Sequence, residues 1–86
     1  MPEISRFFGL VISMFFTDHA PPHFHARYAE HGAQIRFDTL EVEAGHLPRR
    51  VLALVSEWAS EHREELWENW DRVHTSQPIR PIAPLD

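Results

Sequence analysis

The sequence contains no cysteine and no lysine, and each absence excludes a class of site or partner. Without cysteine, the 86-residue chain has no disulfide and no thiolate metal ligand, and nothing favours an oxidising compartment. All eight basic residues are arginine, and a net charge of −5 makes the whole chain a poor electrostatic partner for nucleic acid. The apolar run from Phe7 to Phe16 is too short to cross a bilayer. We therefore expect a soluble cytoplasmic protein of one domain, with no membrane partner.

Apolar periodicity predicts an α+β fold. Residues 1–45 are expected to form a small antiparallel sheet of three to four strands. Residues 48–72 are expected to form one long C-terminal helix that packs on one sheet face. Residues 77–86 carry a proline at every third position, which favours an extended Pro-rich tail. Much of the core is predicted to consist of Tyr28, Ile35, Phe37, Val51, Val55, Trp58 and Leu66.

The strand pattern also predicts a register. Residues 6–16 are interpreted as one strand, residues 23–30 and 33–38 alternate in polarity, and a short strand is expected at 40–43. Glycine supplies positive φ, so His31-Gly32 is the predicted hairpin loop. That loop aligns the apolar faces of the two alternating strands. It also places Arg27 opposite Arg36 and His25 opposite Asp38.

The run from Asp18 to His25 is the densest group of metal-ligand residue types in the chain. Three histidines and one aspartate fall within eight residues, around two prolines that restrict the backbone. His23 and His25 are two apart on a predicted strand, so both imidazoles face the same side. Asp18, His19, His23 and His25 are therefore candidate ligands for a divalent metal. Alternatively, Asp18 caps a turn and the histidines lie on a polar sheet face.

The polar sheet face offers a second interpretation. Arg27 opposite Arg36 would attract an anion between them, either a neighbouring glutamate or a phosphate. His25 or His23, oriented by Asp38, would suit general acid–base catalysis. Such a face could bind or cleave a phosphodiester, although charged outer faces are also ordinary in sheets.

A third group of polar residues lies within the apolar stripe of the predicted helix. His62, Glu65 and Asn69 are spaced by three and four residues, which brings their side chains into contact. Because buried polar groups must be hydrogen-bonded, we interpret this group as a structural polar network.

Motifs over nearly the whole chain resemble a bacterial family of small proteins known as domain of unknown function 4160. The most specific of them is Asp18-His19-x-Pro21-Pro22-His23-Phe24-His25-Ala26-x-Tyr28. Others are Pro2-x-Ile4-Ser5, Phe8-Gly9, Gly45-x-Leu47-Pro48-x-Arg50, Leu54-Val55-x-Glu57-Trp58, His62, Glu65-Leu66 and Asn69-Trp70.

The resemblance implies a short bacterial cytoplasmic protein whose gene neighbour is another small protein, in a toxin–antitoxin-like arrangement. It implies a small protein partner encoded nearby, and an RNA or DNA target, but no catalytic residue or cofactor. Three classes of function stay open. They are a partner-binding module of such a pair, a small metal-independent nuclease and a metal-binding protein.

Overall fold

The computed structural model describes residues 2–86 and shows a five-stranded antiparallel sheet with two short helices. The expectation of three to four strands and one long helix is wrong, whereas the α+β class is consistent with the structure. The strands follow one another in space in chain order, joined by two-residue turns at 8–9 and 29–30 and by longer loops at 14–22 and 37–41. The elements are β1 Glu3–Phe7, β2 Leu10–Ser13, β3 His23–Tyr28, β4 His31–Arg36, β5 Val42–His46, α1 Arg49–Glu61 and α2 Arg63–His74.

The N-terminal apolar run contains a hairpin where one strand was predicted. Phe7 pairs with Leu10, so Phe8 and Gly9 form a two-residue loop. Both loop residues have positive φ, at 49° and 82°, as the turn that suits the twist of a hairpin requires. Phenylalanine rarely adopts positive φ. A single glycine among apolar residues was therefore too weak a sign to predict a turn at this position.

The hairpin of β3 and β4 turns two residues earlier than predicted. Tyr28 pairs with His31, so the loop is Ala29-Glu30 and not His31-Gly32. His25 consequently lies opposite Gln34, and Arg27 lies opposite Gly32. The predicted pairings of His25 with Asp38 and of Arg27 with Arg36 are wrong. The loop moved by an even number of residues, so each side chain keeps its predicted face.

The helical segment is divided at one residue. His62 leaves helical geometry at φ −122° and ψ 28°, and it separates α1 from α2. The apolar stripe continues across the break, because Trp58 and Leu66 are both fully buried. Periodicity alone therefore could not distinguish two helices from one.

Both helices pack on one face of the sheet, and the opposite face, here called the outer face, carries Val11, His25, Arg27 and Gln34. The predicted core is confirmed in six of its seven residues, and Tyr28 is partly buried. Among residues 2–86, neither helix has the length and apolar content needed to cross a lipid bilayer.

The extended tail packs between β1 and the helices. Ile82 and Leu85 are buried, and the Ile82 N–H donates to the Ile4 carbonyl at 2.7 Å. The indole N–H of Trp58 donates to the Ala83 carbonyl at 2.8 Å. Asn69 bonds both backbone groups of Arg80, each at 2.8 Å. The tail therefore satisfies polar groups of both helices while it covers the core.

Candidate metal-binding site

Asp18 lies in the loop between β2 and β3, and its two carboxylate oxygens have different partners. The Phe15 N–H donates to Oδ2 at 2.8 Å, which fixes the orientation of the carboxylate. Oδ1 faces the two histidines of β3. The side chain is only 9% exposed. A carboxylate held in this way presents one oxygen to any group placed between it and the histidines.

His23 presents its Nε2 to the carboxylate because its other ring nitrogen is occupied. Nδ1 lies 2.8 Å from the Pro21 carbonyl, which can only accept, so Nδ1 carries the proton of the neutral ring. The lone pair is then on Nε2, 3.6 Å from Asp18 Oδ1. A backbone carbonyl that fixes the histidine tautomer is a common outer partner of metal-ligating imidazoles.

His25 completes the group from the same face of β3. Its Nε2 lies 3.0 Å from Asp18 Oδ1, and its ring centroid lies 5.2 Å from that of His23. One ligand atom from each of Asp18, His23 and His25 lies within 4.8 Å of the other two. Ligands at 2.0–2.2 Å from one ion are separated by about 3.0–3.5 Å. The three side chains need only a small adjustment to bind one ion.

Aromatic side chains and the end of α2 hold this group in place. Phe15 packs edge-on against the His25 ring at 4.6 Å, and Trp70 packs on His23 at 5.6 Å. The His74 ring makes a tilted contact with Trp70, at 4.4 Å between ring centroids, and its Nε2 lies 2.8 Å from the Asp18 carbonyl oxygen. The loop that carries Asp18 is thus tied to a helix 56 residues away in the chain.

Comparison with protein-family models gave one match, over residues 9–71, to the family described as Domain of unknown function (DUF4160). The chain belongs to this family. The resemblance drawn from the sequence motifs is therefore confirmed, and the matched segment contains the whole Asp18–His25 run. Neither the curated proteins nor the solved structures gave a match.

The DUF4160 segment brings together three of the four predicted metal ligands. His19 is exposed and is not part of the group that Asp18, His23 and His25 form. Trp70 falls inside the DUF4160 match, whereas His74 falls outside it, and neither was predicted at the site. Only the tertiary packing of α2 brings them there, and no local sequence signal indicates it.

Asp38 does not orient a histidine in this DUF4160 chain. Its carboxylate accepts two hydrogen bonds from Arg36, at 2.9 and 2.6 Å. These bonds lower the pKa of Asp38 below its ordinary value. The Asp38 carboxylate also balances the positive charge of Arg36. Arg36 lies opposite His23 and not opposite Arg27. The predicted catalytic group of His23, His25 and Asp38 is therefore not assembled around Asp38.

The three residues of the predicted polar network divide into two groups. His62 Nδ1 lies 2.6 Å from Glu65 Oε1, and its ring lies against Trp58. Asn69 is fully buried and instead binds the tail at Arg80. His62 is not part of the group that contains Asp18.

Proposed function

We propose that the protein binds a first-row divalent transition metal ion through Asp18 Oδ1, His23 Nε2 and His25 Nε2. The observation that carries the proposal is the convergence of these three atoms within 4.8 Å of one another. Two of the ligands are held by hydrogen bonds to groups outside the site. The Phe15 N–H donates to Asp18, and His23 donates to the Pro21 carbonyl. A purely structural hydrogen bond would need only Asp18 and His25. His23 Nε2 also lies near the same carboxylate oxygen, as a shared metal ion would require.

The donor set favours particular ions. Two imidazole nitrogens and one carboxylate oxygen suit Zn²⁺, Fe²⁺ or Mn²⁺, whereas Ca²⁺ and Mg²⁺ prefer sites made only of oxygen. Three protein ligands leave at least one position of the ion for water or another ligand, as in catalytic metal sites. His25, the most exposed of the three at 26%, is the ligand through which that position is reached.

The metal content of purified protein tests the proposal. We expect about one equivalent of Zn²⁺, Fe²⁺ or Mn²⁺ per chain in elemental analysis of untagged protein, because an affinity tag would bring its own histidines. Metal added to stripped protein at 100 times its dissociation constant should raise Tm by about 10 °C or more. Protein that carries substoichiometric metal, and whose Tm no added ion changes, would show that the three residues are only hydrogen-bonded to one another.

A partner-binding role in a toxin–antitoxin-like pair is a second proposal. Its support is β5, which pairs with β4 on one side only and has all five residues exposed. Such an edge offers unpaired backbone groups to a strand from another protein. The exposed side chain of Val42 lies on this edge.

Co-expression with the neighbouring gene product should give a complex that survives gel filtration. Replacing Ala44 with proline should disrupt it, and separate elution of the two proteins would contradict the role.

The nucleic-acid and nuclease roles gain less support from the geometry. Arg27 and Arg36 do not face each other, and Arg36 is paired with Asp38. A phosphate held between two arginines would need both guanidinium groups free on the outer face. The net charge of −5 also opposes binding to a polyanion.

A further inference from the structure

A cavity of about 420 Å³ lies on the outer face of the sheet, and His25 is the one candidate metal ligand that lines it. Val11, Phe15 and Ala44 give it apolar walls, and His25 and Arg27 contribute polar groups from β3. Apolar walls with a few converging polar groups are typical of small-molecule sites. Because His25 is both a wall of the cavity and a candidate ligand, a molecule in the cavity could also reach the ion.

The cavity stays open beside Arg27 because the residue opposite Arg27 on β4 is a glycine. Gly32 is the partner of Arg27 across β3 and β4, and a Cβ added to Gly32 would meet no atom within 4 Å. A larger side chain at this position would project into the open space. The backbone of Gly32 has no positive φ, so the position does not itself require glycine.

Arg27 supplies an available positive charge at this cavity. Its side chain is exposed and forms no ion pair with any residue between 2 and 86. The nearby acidic residue at the rim, Glu30, is 83% exposed, and its carboxylate lies 3.7 Å from His31. Glu30 is therefore well solvated and does not neutralise Arg27.

We propose that this cavity binds a small organic dianion, with one carboxylate on the metal ion beside His25 and the other on the Arg27 guanidinium. The inference rests on the proposed metal site, since the first carboxylate needs the ion. Residues two apart on a strand are separated by about 7 Å and face the same side. The side chain of Arg27 is flexible, so its guanidinium can come closer to the ion than this strand spacing, to within the span of a four-carbon dicarboxylate.

Succinate and butyrate test the proposal because they differ by one carboxylate at equal chain length. Isothermal titration calorimetry on Zn²⁺-loaded protein should give succinate about ten-fold tighter binding than butyrate, as one added charge-assisted hydrogen bond predicts. Arg27→Gln should retain the metal and bind both acids equally. Metal-stripped protein should bind neither.

Gly32→Leu provides an independent check on the cavity. Leucine would fill the space opposite Arg27, so succinate binding should be lost while the zinc content and the circular dichroism spectrum stay those of wild type.

Equal affinity for succinate and butyrate in zinc-loaded wild type would overturn the dianion site and leave the metal site standing. Protein that takes up no zinc would instead overturn the proposed function. Equal succinate binding with and without zinc would overturn the shared site.

Discussion

Replacing His25 with alanine should lower the affinity for Zn²⁺ by about 100-fold or more. The change removes one of three ligand atoms, and even loss of an outer partner of a metal ligand costs 10–100-fold. The side chain is 26% exposed and lies at the edge of a cavity, so the fold should tolerate its removal. Competition with a zinc-binding dye on stripped protein would measure the affinity.

His19→Ala is the matched control for this variant. It makes the same chemical change in the same eight-residue run, but His19 is exposed and lies outside the ligand group. We expect its zinc affinity to equal that of wild type. If the two variants lose affinity equally, the ligands are not those assigned here. If neither variant loses affinity, zinc binds elsewhere on the chain.

The Trp58→Ala variant should be destabilised by about 3–5 kcal/mol, the usual cost of removing a fully buried large aromatic side chain. Trp58 has no exposed surface and packs on Phe7 and Phe24, which belong to different strands. Its indole also donates the hydrogen bond that holds the tail at Ala83. A loss of this size approaches the whole stability of a small domain. Urea denaturation followed by circular dichroism would measure it.

Trp67→Ala is the comparison for Trp58. Trp67 lies on the neighbouring helix, is 41% exposed and contacts the core at Phe37. We expect this change to cost about 1–2 kcal/mol, less than at Trp58, because much of the Trp67 indole is already in contact with water. A loss at Trp67 as large as that at Trp58 would contradict the core described here. A Trp58→Ala variant that unfolds at the same urea concentration as wild type would also contradict this core.

The face of each residue in β3 and β4 could be predicted, but its partner across the sheet could not. Alternation put His23 and His25 on one side of β3, and they lie there. The carboxylate beside them depends on where the hairpin turns, and the turn at Ala29-Glu30 removed Asp38 from His25. Asp18 comes next to them because the loop after β2 folds back over the strand.

The division of the predicted helix had no signal in the sequence. His62 departs from helical φ and ψ for a single residue, while its N–H and its carbonyl stay hydrogen-bonded to Ala59 and Leu66. The stripe of buried residues continues on both sides of it. The tail is the opposite case. Its three-residue period suggested an extended conformation, but only tertiary contacts with Trp58 and Asn69 determine where it lies.

The sequence by itself determined the α+β class, most of the core, the family and the concentration of ligand-type side chains between Asp18 and His25. These follow from local periodicity and residue type, which act over a few neighbours. Tertiary structure alone decided that Asp18, and not His19 or Asp38, faces His23 and His25, and that an open cavity adjoins His25. Those outcomes depend on turn position, on the loop after β2 and on the packing of α2, which join residues far apart in the chain.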